Sequence, residues 1–500
     1  MSQDAIKKGH PKGLYVLFAT EMWERYNFYG MRAILVLFMT KALLFDHAFA
    51  SNLYGSYQSL IYLTPLLGGY IADRYWGNHR SIIVGGLVMA IGEFILFFCG
   101  SFYHSAPQLS SVLFFSGLGF MIAGNGFFKP NISSMVGQLY AKGDRRIDSA
   151  YTIFYMGINV GGALGPFVCG LFGDTGNPAD FKWAFLAGGI GMLISVAIQY
   201  FFHHKYVLGP DNKVLGLTPS TSSKKWINPL LMIIGLALLS ATTIGLLYAD
   251  AKVIGYLTYL LVAAVLFIAF IIFSDKSLTS LEKTKVAVIF IVSFFVVFFW
   301  SAFEQAGASL TFFAEEQTNR NIGSYLVPAS FFQSLNSIFV VSFAPLFAWF
   351  WLKLGKYEPS SPFKMALGLL LLAFGYLWIA FGVKNVVPGV KVSMIWLTGM
   401  YALHTWGELS LSPIGLSLVN KLAPFKFASL LMAVWFLANA AANKLAGVLS
   451  ALYPENGKTT SFLGYQMSNM YDFFMFFVFM AGIASLILFL LSGKLKKMMV

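Results

Sequence analysis

At 500 residues, 58% hydrophobic and only 11% charged, with a mean hydropathy of +0.70, the chain has too few charges to cover a soluble surface. That excludes the ordinary soluble classes and points to a polytopic membrane protein. The formal net charge of +13 would suit a nucleic-acid binder if it were clustered, but its spread along the chain reads as a topology signal and no nucleic-acid partner is expected.

The first dozen residues are polar, and the apolar run that follows is too long for a signal-peptide core, so the first helix is expected to insert and stay. Runs of about 20 or more mostly apolar residues fall at 14–43, 51–75, 79–102, 107–137, 149–174 and 182–204. A polar stretch, Lys205 to Lys225, comes next. Two further runs, 226–249 and 253–274, are joined by the polar turn "ADAK", and six more follow at 284–314, 325–352, 363–383, 392–421, 425–452 and 471–493. The expected fold is therefore all-α and integral to the membrane, with twelve core transmembrane helices and two extra ones between the halves, fourteen in all. The expected division is an N-terminal six-helix bundle over 1–205, a linker with the two additional helices over 206–283, and a C-terminal six-helix bundle over 284–500.

With the N-terminus placed in the cytoplasm, only Lys41, Lys182, Lys252, Arg320, Lys384, Lys391 and Lys458 fall outside, while most Lys and Arg fall inside. Such a bias predicts that both termini are cytoplasmic. Cys99 and Cys169 lie in apolar segments and are read as free thiols. A faint repeat aligns "FKPNISSMVGQL" (Phe128–Leu139) with "LSPIGLSLVNKL" (Leu411–Leu422), and the same offset carries Glu21 onto Glu304. Two such halves suit a transporter of the major facilitator type, with a site at the midplane.

The segment "TEMWERYNFYGMR", Thr20 to Arg32, sets Glu21, Glu24, Arg25 and Arg32 inside the first apolar run; Lys129, Glu304 and Glu408 lie equally deep in later ones. Each costs roughly 2.5–3.5 kcal/mol at a helix centre, so these charges must pair or face a wet cavity. On a helix, Glu21, Arg25, Phe28, Tyr29 and Arg32 share one stripe, which predicts a polar face turned to the bundle interior. Static pairs that lock helices together are the alternative to a functional cluster. The four acids outnumber the three bases by one, so a single bound proton would neutralise the set.

"EMWERYNFYG" resembles the ExxER[F/Y]xYY signature of proton-coupled oligopeptide transporters, the peptide transporter family of the major facilitator superfamily. "GGYIADRYWGNHRSIIVGG", "GNGFFKPNIS", "FYMGINVGG", "FWSAFEQ", "LGKYEPSSPFK" and "GELSLSPIGLS" match further landmarks in order, and the 226–274 hairpin resembles the two extra helices of prokaryotic members. The resemblance implies a proton-driven symporter importing di- and tripeptides by alternating access, with no cofactor, and acting as a monomer in the bilayer. It implies proton coupling by Glu21, Glu24, Arg25, Lys129 and Glu304, with Arg32 and Glu304 as an extracellular gate. Arg25 and Lys129 would face the peptide carboxylate, while Asn159, Asn336 and Glu408 would hold its ammonium with Tyr29 and Tyr62 nearby. Trp300, Ser412 and Trp435 would line the cavity. Phe28 departs from the signature by lacking a hydroxyl beside Arg25, Phe303 stands where some members carry a second acid, and Ala163 breaks the fifth-helix motif.

A related carrier of another small anion or peptide-like drug is the nearest alternative. An integral-membrane transferase would need clustered acid/base groups or metal ligands, which seven scattered His, no HExxH and no GxSxG do not supply. "ENGKTTS" lacks the first Gly of a phosphate loop, Leu452 standing in its place, so ATP drive is not expected.

Overall fold

The computed structural model describes residues 9–141, 143, 144, 146–218, 229–252, 255–387 and 389–499. Among them, α1 (Lys12–Lys41), α2 (His47–Ile71), α3 (Asn78–Phe102), α4 (Pro107–Gln138), α5 (Ile147–Gly173) and α6 (Phe181–Tyr206) precede α7 (Pro229–Lys252) and α8 (Tyr256–Ser274). After these come α9 (Ser280–Phe303), the short α10 (Ser309–Glu316), α11 (Phe332–Leu354), α12 (Ser361–Val383), α13 (Met394–Leu422), α14 (Ala428–Ser450) and α15 (Met470–Met498). Among the described residues, eleven segments are long and apolar enough to cross a membrane; α1, α2 and α13 are long helices with more polar side chains. Three two-stranded pairs of two or three residues per strand trim the connections.

One expected span is not a single helix. The run 284–314 breaks at Phe303 into α9, a 3₁₀ turn over Glu304–Gly307, and α10. In an apolar medium the carbonyls released by such a break need other donors, and side chains supply them. Gln305 Nε2 donates to Ser301 O at 3.0 Å, Tyr376 OH to Ala302 O at 2.6 Å, and Thr311 Oγ1 to Ala306 O at 2.8 Å. Gly307 is required there, because a Cβ would lie 1.8 Å from the Tyr54 hydroxyl. The break thus places the Glu304 carboxylate at a helix end held by side chains. The expected run 325–352 likewise opens with a hairpin strand and a 3₁₀ turn before α11 begins at Phe332.

The chain forms two compact units. The first comprises Met1–Met31, Thr64–Gly173 and Ala179–Gly245. Within it α3 packs on α4 and α6, and α5 on α6. Small residues let backbones touch, as expected where lipid removes the hydrophobic drive between helices. A Cβ on Gly161 of α5 would meet Met22 O of α1 at 2.2 Å, and one on Gly68 of α2 would meet Gly126 O of α4 at 1.9 Å. Thr64 Oγ1 adds a bond to Ile122 O at 3.0 Å along the same seam. Gly68→Ala is therefore expected to push α2 off α4 and destabilise the protein by about 1–3 kcal/mol or more, read as a lower unfolding temperature in detergent.

The second unit comprises Arg32–Leu63, Asp174–Pro178 and Leu246–Val500. Here α12 packs on α13 and α15, α9 on α14, and α8 on α14. Gly55 of α2 meets Gly447 of α14 so closely that a Cβ on the first would lie 2.7 Å from the second's Cα.

Candidate functional site

In the first unit, the polar stripe of α1 is almost dry. Glu21 is 2% exposed, Glu24 0% and Arg25 3%. One guanidinium serves both acids: Arg25 Nη2 donates to Glu24 Oε1 at 2.6 Å, its Nε to Glu24 Oε2, and the same Nε lies 3.3 Å from Glu21 Oε1. Asn125 of α4 reaches Glu24 Oε1 at 3.5 Å. The second Glu21 oxygen is buried without a hydrogen-bond partner. Lys129 of α4 is half-buried and within electrostatic reach of Glu21. Its neighbour Pro130 lies inside α4.

Arg25 also sits 4.9 Å from the Phe28 ring centre and 5.9 Å from that of Tyr29. Phe28 thus provides a π face to the guanidinium where the signature has a phenol. Asn159 of α5 is buried, and its amide donates to Tyr155 O at 2.9 Å. Two acids sharing one cation in an apolar helix leave the Glu21–Glu24–Arg25 group one negative charge in excess when both acids are ionised. It is therefore a place where a proton or a second cation is favoured.

In the second unit, Arg32 Nη2 bonds Glu304 Oε2 at 2.6 Å, with both residues buried. Glu408 of α13 accepts from Asn336 Nδ2 of α11 at 2.9 Å, and the same amide donates to Thr405 Oγ1 at 3.1 Å. Glu408 lies within electrostatic reach of both Glu304 and Arg32. This group is also rich in acid: two carboxylates and one guanidinium. Trp300 is half-buried with its ring centre 5.2 Å from that of Phe303, and Trp435 is buried on α14. Tyr62 is half-buried on α2. Ser412 belongs to α13, but its side chain lies outside the described residues. His404, one turn before Glu408, stacks near Tyr376 at 4.8 Å and Phe303 at 6.2 Å, as a packed core residue does.

Three further charged groups lie apart from these two clusters. Lys444 of α14 is paired with Asp250 at 2.5 Å, and both side chains are 2% exposed. Ser56 of α2 donates to Asp250 Oδ2 and accepts from Lys444 Nζ at 2.9 Å, while Asp250 Oδ1 accepts from Leu257 N at 2.9 Å. Asp250 belongs to the "ADAK" stretch, which reads as a solvated turn because nothing local marks a partner almost two hundred residues away. Glu93 on α3 is fully buried against Asn27; a lone acid inside "AIGEFILFF" was the available signal. His47 at the start of α2 bridges Glu316 at 3.1 Å and Glu455 at 3.0 Å beside a cavity of about 340 Å³ that Lys41 and Glu315 also line. No cluster of His, Cys, Asp and Glu suited to a metal occurs among the described residues.

The family model described as "POT family" matches residues 79–462. The chain is 35% identical over 470 residues to the "Uncharacterized transporter YclF" of Bacillus subtilis, covering 91% of this chain and 90% of that one. It is 34% identical over 461 residues to the "Peptide transporter YePEPT" of Yersinia enterocolitica, covering 88% of each. Among solved structures, a peptide transporter POT in complex with alafosfalin superposes with a TM-score of 0.82 at 30% identity, covering 99% of this chain and 97% of that one. These relatives are transporters and not enzymes, and they share the fold across nearly the whole length. The buried, acid-rich helices described above thus belong to a multi-span membrane transporter, and the chain is a member of the POT family.

Proposed function

We propose that this chain is a proton-driven symporter that imports di- and tripeptides across the bacterial inner membrane by alternating access, as a monomer with both termini cytoplasmic. The observation that carries the reading is the single Arg25 guanidinium held between two buried acids, Glu21 and Glu24. A proton on either acid loosens that grip and frees part of the guanidinium for another anion. The peptide carboxylate is the anion assigned to Arg25 and Lys129.

The ammonium end of the peptide is assigned to Glu408, Asn336 and Asn159. Tyr29, Tyr62, Trp300, Ser412 and Trp435 are assigned to the variable side chains, since aromatic walls tolerate many shapes. In this reading 1–205 and 284–500 are the two rocking bundles and 206–283 is the inserted linker. Arg32 with Glu304 is the extracellular gate, which must open for peptide to enter. Inward movement of one proton down a membrane potential supplies about 2.3 kcal/mol per 100 mV, enough to concentrate a neutral zwitterion. Support comes from the named peptide-transporter relative and from the unbalanced acids. The test is Glu21→Gln in proteoliposomes. It is expected to lose proton-driven accumulation of dialanine while retaining peptide-for-peptide exchange; full accumulation by the variant would remove Glu21 from coupling.

A further inference from the structure

Glu93 lies on α3, is 0% exposed, and accepts a 2.8 Å bond from Asn27 Nδ2 of α1, itself 0% exposed. Each of these two side chains has one further buried oxygen with no hydrogen-bond partner, Asn27 Oδ1 and Glu93 Oε2. The titratable groups that face Glu93 are Tyr26 of α1 and Cys169 of α5, neither of them a cation. The remaining wall is α6. A Cβ on Gly188 would lie 3.2 Å from Asn27 Nδ2 and from Glu93 Oε1, and one on Gly189 would lie 3.2 Å from Glu93 Cβ.

An ionised carboxylate in that place would have one neutral hydrogen bond, no counter-charge and no exposure to solvent, an arrangement protein interiors avoid. One proton removes the whole difficulty. A proton on Glu93 Oε2 would supply the donor that Asn27 Oδ1 lacks, and one bond between them would satisfy both orphaned oxygens and complete a reciprocal acid–amide clasp. Exchanging the assigned positions of the Asn27 oxygen and nitrogen leaves the same count of donors and acceptors.

We propose that Glu93 carries a resident proton and, as a neutral acid clasped to Asn27, is a positioning residue for α1. Asn27 follows Glu24 and Arg25 by three and two residues on the same helix, and the two-residue step sets it on the opposite side of α1 from Arg25. The clasp therefore fixes the register of α1 against α3 without drawing on the charges at Glu21, Glu24 and Arg25. The proton is structural and does not cycle with transport. This differs from Glu21, whose partnerless oxygen belongs to a carboxyl already beside Arg25.

The test is infrared difference spectroscopy of the full purified chain at about pH 7, well above the ordinary glutamate value of about 4.3. Wild type is expected to show a protonated-carboxyl carbonyl band that Glu93→Gln lacks. Glu93→Gln, which keeps a donor and an acceptor for Asn27, is expected to retain both the uptake rate and its pH profile. Glu93→Leu, which leaves the Asn27 amide unsatisfied, is expected to lower uptake and unfolding temperature. An identical spectrum for wild type and Glu93→Gln would overturn the proposal, as would a shifted pH profile in Glu93→Gln. The band is read without any peptide, so its absence is distinguishable from a failure of the transport reading.

Discussion

Lys444→Ala is expected to lower the stability of the protein by about 3–5 kcal/mol, the usual consequence of leaving one member of a buried ion pair without its partner. Asp250 is the member left behind. It is held in a dry junction of α2, α14 and the facing ends of α7 and α8, where Ser56 and Leu257 N also donate to it. The loss arises from the stranded charge more than from the missing bond, so removing both charges is expected to restore most of it. Lys444→Met combined with Asp250→Asn makes the pair neutral while keeping an acceptor for Leu257 N. Thermal unfolding of the single and double variants measures the coupling. A cost for Lys444→Ala that is the same with Asp or Asn at position 250 would show that the pair contributes nothing. The physical consequence is that, within the second unit, the C-terminal end of α7 is fastened to α14 by a buried ion pair.

Arg25→Lys is expected to fold and to reduce peptide uptake by about 10–100-fold. The guanidinium makes two parallel bonds to Glu24 and a third approach to Glu21. A lysine ammonium is a single compact charge that cannot reproduce that fork. It also loses the flat face that Arg25 presents to Phe28 and Tyr29. Initial uptake rates at saturating dialanine, normalised to folded protein, read the effect. Wild-type rates would mean that charge alone suffices at this position.

The helical segments were legible in the sequence because a membrane helix must be long and apolar, and that requirement leaves a plain mark at almost every span. The break at Glu304 was not legible. Its cause includes the close approach of Gly307 to Tyr54 and the bond donated by Tyr376, both from distant parts of the chain, which join the local donors Gln305 and Thr311. The charges of α1 could be read because their cost in lipid is large and their spacing puts them on one stripe. The pairing within that stripe needed coordinates: Arg25 bonds its immediate neighbour Glu24 as well as Glu21 one turn away. Asp250 escaped notice because a short polar turn reads as solvated, and Glu93 because a single acid in an apolar helix carries no pattern to mark its partner.

The most direct test of the transport reading is a proteoliposome loaded with a pH-sensitive dye and held at an inside-negative potential. Adding dialanine outside should acidify the interior and accumulate the peptide together. Glu21→Gln vesicles should show neither response. Accumulation of dialanine with no accompanying proton entry would contradict the account, as would no movement of peptide at all.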